Sequence, residues 1–313
     1  MKKDILIKSA IATAIAAVTT VTTIADTKLY GRFRAAVVCT DDGSNDDCGL
    51  ENRSSRFGIK ASNEISDGLT AFGRYEFGVN LDEGHLSNSE GTNRLAYVGL
   101  KGGFGEFSVG TRWSPMYNYV TSPVDPFQML GGTNADNGYI SSFRRSDTIN
   151  YKNKFGAAGV HVQVQMDDKD AGNDAVDEFQ IGAGFKAGSI NLGLAYVDTT
   201  DKESVLGLHG GTKFGPIGVG VSYYTKDSDT AGADEDAILG LASYGMGGGK
   251  TINLSYGVNM PDSGNSDPST IAAEYEHKLS KNFRWFAAVQ NQDLDAAGTD
   301  DVLKYGAGMR LEF

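Results

Sequence analysis

Four histidines are the first residues to test for chemistry: His85, His161, His209 and His277. They are scattered, with no HExxH pair and no His/Cys cluster, so no metal centre is expected. The run CTDDGSNDDC is rich in carboxylates, but its spacing does not follow the calcium-loop pattern and reads as a solvated acidic tip. The runs GGFG and GMGGG read as turns, because no GxxxxGK[ST] occurs and no helix follows. No Ser/His pair stands out at positions suited to nucleophilic catalysis, so neither an enzyme nor a bound cofactor is expected. The remaining chemistry is charge: arginines at alternating positions in strand-like segments, and acids in one long aperiodic stretch.

That stretch runs from Arg112 to Tyr151, RWSPMYNYVTSPVDPFQMLGGTNADNGYISSFRRSDTINY. It holds three of the six prolines, Pro115, Pro123 and Pro126, together with an Arg144-Arg145 pair and the acids Asp125 and Asp136. Neither helical nor strand periodicity fits it, and a structureless insertion of this length is normally functional or disordered. Its aromatic and apolar residues, Phe127, Met129, Leu130, Tyr139 and Phe143, argue for an ordered loop packed against something.

Around the loop, segments of about ten residues alternate apolar and polar side chains, the period-two signature of strands with two different faces. In the first, Leu29, Gly31, Phe33, Ala35 and Val37 oppose Tyr30, Arg32, Arg34 and Ala36. RFGIKAS sets Phe57 and Ile59 against Arg56 and Lys60, and LTAFGRYEFGV sets Tyr75, Phe77 and Val79 against Arg74 and Glu76. EFSVGTRW sets Phe107, Val109 and Trp113 against Glu106 and Arg112, and GVHVQVQM sets three valines against His161, Gln163 and Gln165. With weaker candidates at TNRLAYVGLKG and DTINYKNKF, about sixteen strands are expected, in the even-numbered range of closed membrane barrels. DAILGLASYGM alternates poorly and its facing stays open. The connections alternate too: short Gly-rich turns follow one strand, and long acidic loops such as DEGHLSNSEG and KDSDTAGADED follow the next. A closed barrel with tight turns at one rim and long loops at the other has this pattern.

The chain begins with Lys2, Lys3 and Lys8 ahead of a short apolar, Thr-rich run ending at Ala25, which reads as a secretory signal peptide over residues 1–25 that precedes a single barrel domain, 26–313. Without Lys2, Lys3, Lys8 and Asp4 there remain 25 basic and 39 acidic side chains, a formal charge of −14, which excludes nucleic acid as a partner. Cys39 and Cys48, close together in an exported chain, are expected to form one local disulfide. No apolar run after residue 25 is long enough to span a bilayer as a helix. Glycine supplies 41 of 313 residues, against a usual share of about 7%, which suits tight turns and close-packed curved sheet. A barrel of about sixteen strands is too wide for side chains to fill. The polar face must then line a watery lumen and the apolar face must meet lipid, with Tyr75, Tyr151, Phe155, Tyr223, Trp285 and Phe313 placed as interfacial aromatics.

LYGRFRAAV, RSSRFGIKASNEISDGLTAFGRYEFG, LAYVGLKGGFGEFSVGTRW, FRRSDTINYKNKFG and the strand ending in Phe313 together resemble the general-diffusion porins of Gram-negative outer membranes. The resemblance implies an all-β fold, a transmembrane antiparallel barrel of sixteen strands with a long constriction loop, about 114–146, folded into the lumen. It implies a homotrimer in the outer membrane, among lipopolysaccharide, with Phe313 as the signal read by the barrel-assembly machinery. Long acidic loops in that setting could hold divalent cations. Basic residues facing the loop would be Arg32, Arg56, Arg112 and Arg144 or Arg145, with Arg74 as a further inward charge. Where enteric members carry PEFGG, this chain has Asp125-Pro126-Phe127-Gln128, so only Asp125 is placed to supply that motif's carboxylate, and Asp136 is a further candidate acid on the loop. The implied function is passive diffusion of small hydrophilic solutes and ions. The rivals are a substrate-selective porin for anions or sugars, a barrel enzyme, and an adhesin or phage receptor.

Overall fold

The computed structural model describes residues 26–86, 93–130, 143–166, 176–262, 266–295 and 300–313. The segment read as a signal peptide, and Asp136, lie outside the described residues.

The chain is built from antiparallel strands: β1 (Asp26–Asp41), β2 (Asp46–Asn52), β3 (Ser55–Ser66), β4 (Leu69–Asn80), β5 (His85–Leu86), β6 (Asn93–Gly102) and β7 (Gly105–Trp113). After the loop come β8 (Arg144–Arg145), β9 (Thr148–Phe155), β10 (Ala158–Met166), β11 (Val176–Ala187), β12 (Ile190–Thr199) and β13 (Glu203–Phe214). The remainder are β14 (Ile217–Ser228), β15 (Glu235–Gly247), β16 (Lys250–Pro261), β17 (Ser269–Lys278), β18 (Phe283–Asp293) and β19 (Val302–Glu312). β2 continues β3 along β1, β8 continues β9 along β7, and β5 only pairs with the end of β4, so the wall has sixteen strands. β1 pairs with β19 from Arg32↔Glu312 to Asp41↔Leu303 and closes the sheet into a barrel. Closure pairs each of the sixteen wall strands on both sides, which a hydrocarbon environment demands.

One rim is made of short turns, six of two residues at 67–68, 103–104, 156–157, 188–189, 215–216 and 248–249 and one of four at 279–282. Gly68, Gly156, Gly188 and Gly215 each adopt positive φ there, which residues with a Cβ resist. The other rim carries the longer connections, where Cys39 and Cys48 are opposed in the β1–β2 ladder and joined by a disulfide.

The wall is inside out by the standard of a water-soluble protein. Leu192, Leu194, Val221, Leu254, Ile271 and Met309 are exposed on the outer face, whereas Gln163, Gln180, Ser222, Glu274 and Gln290 are buried inside. Alternation predicts both faces for most strands, and β15 shows why it fails locally. Its inward Ala237 and Leu239 are buried and apolar because part of the long loop lies on that stretch of wall.

Candidate functional site

The loop leaves β7 at Ser114 and bends inward, with the Ser114 N–H donating to the Phe143 carbonyl at the loop's return, 3.0 Å. Trp113, expected on the outer face, instead stacks on Tyr117 at 4.2 Å between ring centres and meets Phe143 edge-on. It is the last residue of its strand, and its ring follows the chain into the lumen. Two short helical turns follow, Tyr117–Thr121 and Ser122–Val124, the first widened so that the Ser122 N–H reaches the Tyr117 carbonyl.

This segment is seated on the inner wall from β10 to β18. Met116 and Val120 pack on Ala195, Val197 and Val205. Tyr119 lies across a strip of wall whose inward positions are glycine. A Cβ on Gly193 would run into the Tyr119 backbone and one on Gly184 into its ring, so the wall is flat where the loop crosses it. The Ser222 hydroxyl donates to the Val120 carbonyl at 2.7 Å, and Thr121 and Tyr224 hydroxyls are 3.0 Å apart. Farther on, the backbone N–H groups of Gln128 and Met129 both donate to the Glu274 carboxylate on β17, at 2.8 and 2.9 Å. Met129 and Leu130 then pack against Ala36, Val38, Phe286 and Ala288.

Opposite the loop is a bank of arginines. Between them lies a space of about 480 Å³ lined by Arg32 and Arg34 of β1, Arg56 of β3, Arg94 of β6, Arg144 of β8 and Arg310 of β19. The loop side presents Asp125, Phe127, Gln128 and Met129. Glu76 is the hub of the wall: it accepts from Arg94 at 2.8 Å, Arg74 at 2.5 Å and the Tyr30 hydroxyl at 2.8 Å, with Arg56 at 3.9 Å. Glu312 similarly holds Arg32 at 3.2 Å and Arg310. The Gln128 side-chain oxygen accepts from Arg310 at 2.7 Å and from Arg34 at 3.4 Å. Asp125 sits near Arg34, and burial pushes its carboxyl up to about 6.

Of the residues singled out in the sequence, Arg32, Arg56, Arg144 and Asp125 come together here. Arg74 stands behind Glu76, its Nε donating to the Tyr30 hydroxyl at 2.6 Å. Arg144 lies over the Trp113 ring at 5.0 Å, whereas its neighbour Arg145 pairs with Glu178 of β11 at 2.6 Å. Arg112 is engaged elsewhere, with Glu106 and Ser108 at 2.6 Å and its guanidinium 4.1 Å over Tyr97. Three lining arginines were not singled out. Arg34 shares the alternation of Arg32, and Arg310 sits on the inward face of the last strand. Arg94 had no such signal, because it falls at a register shift between β4 and β6, where Glu76 pairs with Leu95 and Phe77 with Asn93.

Comparison with known proteins gives the same picture. The profile of the family described as Gram-negative porin matches residues 12–297. Outer membrane porin PhoE of Klebsiella pneumoniae is 27% identical over 208 residues, covering 62% of this chain and 58% of that protein. The chain thus spans a little over half the length of this relative. Among solved structures, an anion-selective porin from Comamonas acidovorans superposes with a TM-score of 0.80 at 19% identity, over 93% of this chain and all of that one. The trimer form of OmpT from Vibrio cholerae superposes at 0.74, also at 19% identity, over 93% of this chain and all of that one. With a closed wall of sixteen strands, a loop laid inside it and a family match running from 12 to 297, the chain belongs to the Gram-negative porins of the outer membrane.

Proposed function

We propose that the barrel is a passive, non-enzymatic channel for small hydrophilic solutes and ions, narrowed by the loop at the arginine bank. The observation that carries this reading is the pairing of an apolar outer face with a polar inner face around a space that the loop narrows without filling. Arg32, Arg56, Arg144 and Asp125 would act on solutes there, with Arg34, Arg94 and Arg310 as further lining charges. The two buried histidines support a non-enzymatic reading. His161 is held by Asn150 at 2.9 Å and His209 by Ser222 at 3.0 Å, so both are bound within polar networks of the inner wall and loop. The protein would assemble as a homotrimer among lipopolysaccharide, as the trimeric structural neighbour suggests, with Phe313 serving as its assembly signal. Purified protein added to a planar bilayer should give stepwise conductance, in triplets if the unit is a trimer. Absence of steps from folded protein would overturn the channel reading.

A further inference from the structure

We infer that the channel passes small anions in preference to cations, and that Gln128 on the loop sets this preference. The inference rests on the channel reading above and adds the sign of the permeant charge. Six arginines line the space, and Asp125 is the only acid on the described part of the loop. Among the described residues, setting Asp125 and the wall carboxylates Glu76, Glu312 and Glu274 against the six still leaves two more arginines than acids. Arg34 and Arg144 have no ion-pair partner among the described residues, so their charge is offered to whatever passes. A lumen lined by one sign of charge, with low-dielectric walls, concentrates counter-ions. Asp46 and Asp47, at the outer tip of the β1–β2 hairpin, are exposed, and exposed charge is screened within about 8 Å at physiological salt.

Gln128 decides the balance because of where it is held. Its backbone is fixed by Glu274, and its side-chain oxygen accepts from both Arg34 and Arg310. A carboxamide orients these guanidinium groups without neutralising them, whereas a carboxylate at the same place would pair with both. A second observation points the same way. The space of about 660 Å³ between the loop's Pro123 and Pro126 and the short-turn rim is lined by Lys186 and Lys213, with no acid among its lining residues. On the β11–β13 side of the lumen, an anion moving from the loop towards that rim therefore meets two lysines.

The test is the reversal potential across a planar bilayer under a tenfold KCl gradient. The unaltered protein should give the sign for chloride over potassium. Gln128→Glu should lower the chloride-to-potassium permeability ratio several-fold, and Arg144→Ser should lower it in the same direction should Gln128→Glu fail to assemble. Asp46→Asn, out on the loops, should leave the ratio unchanged. Conductance steps with the potential of a cation-selective pore, or a Gln128→Glu channel with an unshifted ratio, would overturn the inference while leaving the channel intact. Absence of any steps would instead strike at the channel reading itself.

Discussion

Asp125 is the residue at which pH should enter the behaviour of the channel. Burial raises its carboxyl to about 6, with the Arg34 guanidinium pulling in the opposite direction. A carboxyl with a raised value is charged above that pH and neutral below it. The groups facing it are Arg32 and Arg34 on β1, Arg56 on β3, Arg94 on β6, Arg144 on β8 and Arg310 on β19. Glu274 on β17 is engaged by the loop's own N–H groups. Taking the pH from 8 to 5 should therefore remove the Asp125 charge from the lumen and move the reversal potential further towards anions. Asp125→Asn should start closer to the acid-side value and show a smaller pH step, as bilayer recordings at several pH values would reveal. The arginines divide in the same way. Arg56→Ser should shift selectivity towards cations, whereas Arg112→Ser should shift it less, since Arg112 is spent on Glu106, Ser108 and the Tyr97 ring. Alternation in the sequence places Arg32, Arg56 and Arg112 on the same polar face, yet it carries no information on which of them faces the loop. That depends on where along each strand the loop crosses, a tertiary fact.

The loop as an element was legible as an ordered insertion, from its prolines, aromatics and broken periodicity. Its seat was not, because the seat is written in residues that read as defects of alternation: Gly184 and Gly193 under Tyr119, and the inward Ala237 and Leu239 of β15. A strand pattern shows its wall role only where nothing lies on the inner face. The end of the seated segment depends on Glu274, whose carboxylate accepts the N–H groups of Gln128 and Met129. Hydrogen bonds to a charged group contribute about 1.5–3 kcal/mol each, and Glu274→Ala removes both at once. The barrel wall does not need them, so folding should be retained. Single-channel current should become noisier, with added substates, as the loop end loosens; a record as quiet as the unaltered protein's would mean the apolar contacts of Met129 and Leu130 suffice. The disulfide is a second element-scale device. A ring closed by residues nine apart is stabilised by about 2.7 kcal/mol in the chain-entropy account. Cys39 and Cys48 are already opposed in the β1–β2 ladder, so Cys39→Ser with Cys48→Ser should leave the native hairpin in place and cost up to that much by freeing the unfolded chain, read as a fall in the denaturant midpoint.

At the scale of the whole molecule, the fold makes sense only with lipid as one of its solvents. The parity of strand residues, the sorting of short and long connections and the strand count were all readable in advance, because each is imposed locally by the need to pair backbone in hydrocarbon and to wet a wide lumen. The consequence is a sharp asymmetry between the two faces of one strand. Leu194, in the middle of β12, is 47% exposed on the outer face, whereas its neighbour Ala195 is fully buried beneath the loop. An arginine on the lipid face near the bilayer midplane costs about 2–4 kcal/mol and little near the interfaces. Leu194→Arg should therefore lower the fraction of chain that folds into lipid vesicles, seen as loss of the heat-modifiable band on a gel. Leu303→Arg, on the same outer face but near the long-loop end of β19, should fold almost as well as the unaltered chain, since its cation can reach the headgroups. Equal folding of the two variants would mean that cost does not depend on depth along the strand, and the outer face would then be packed against protein rather than lipid at Leu194.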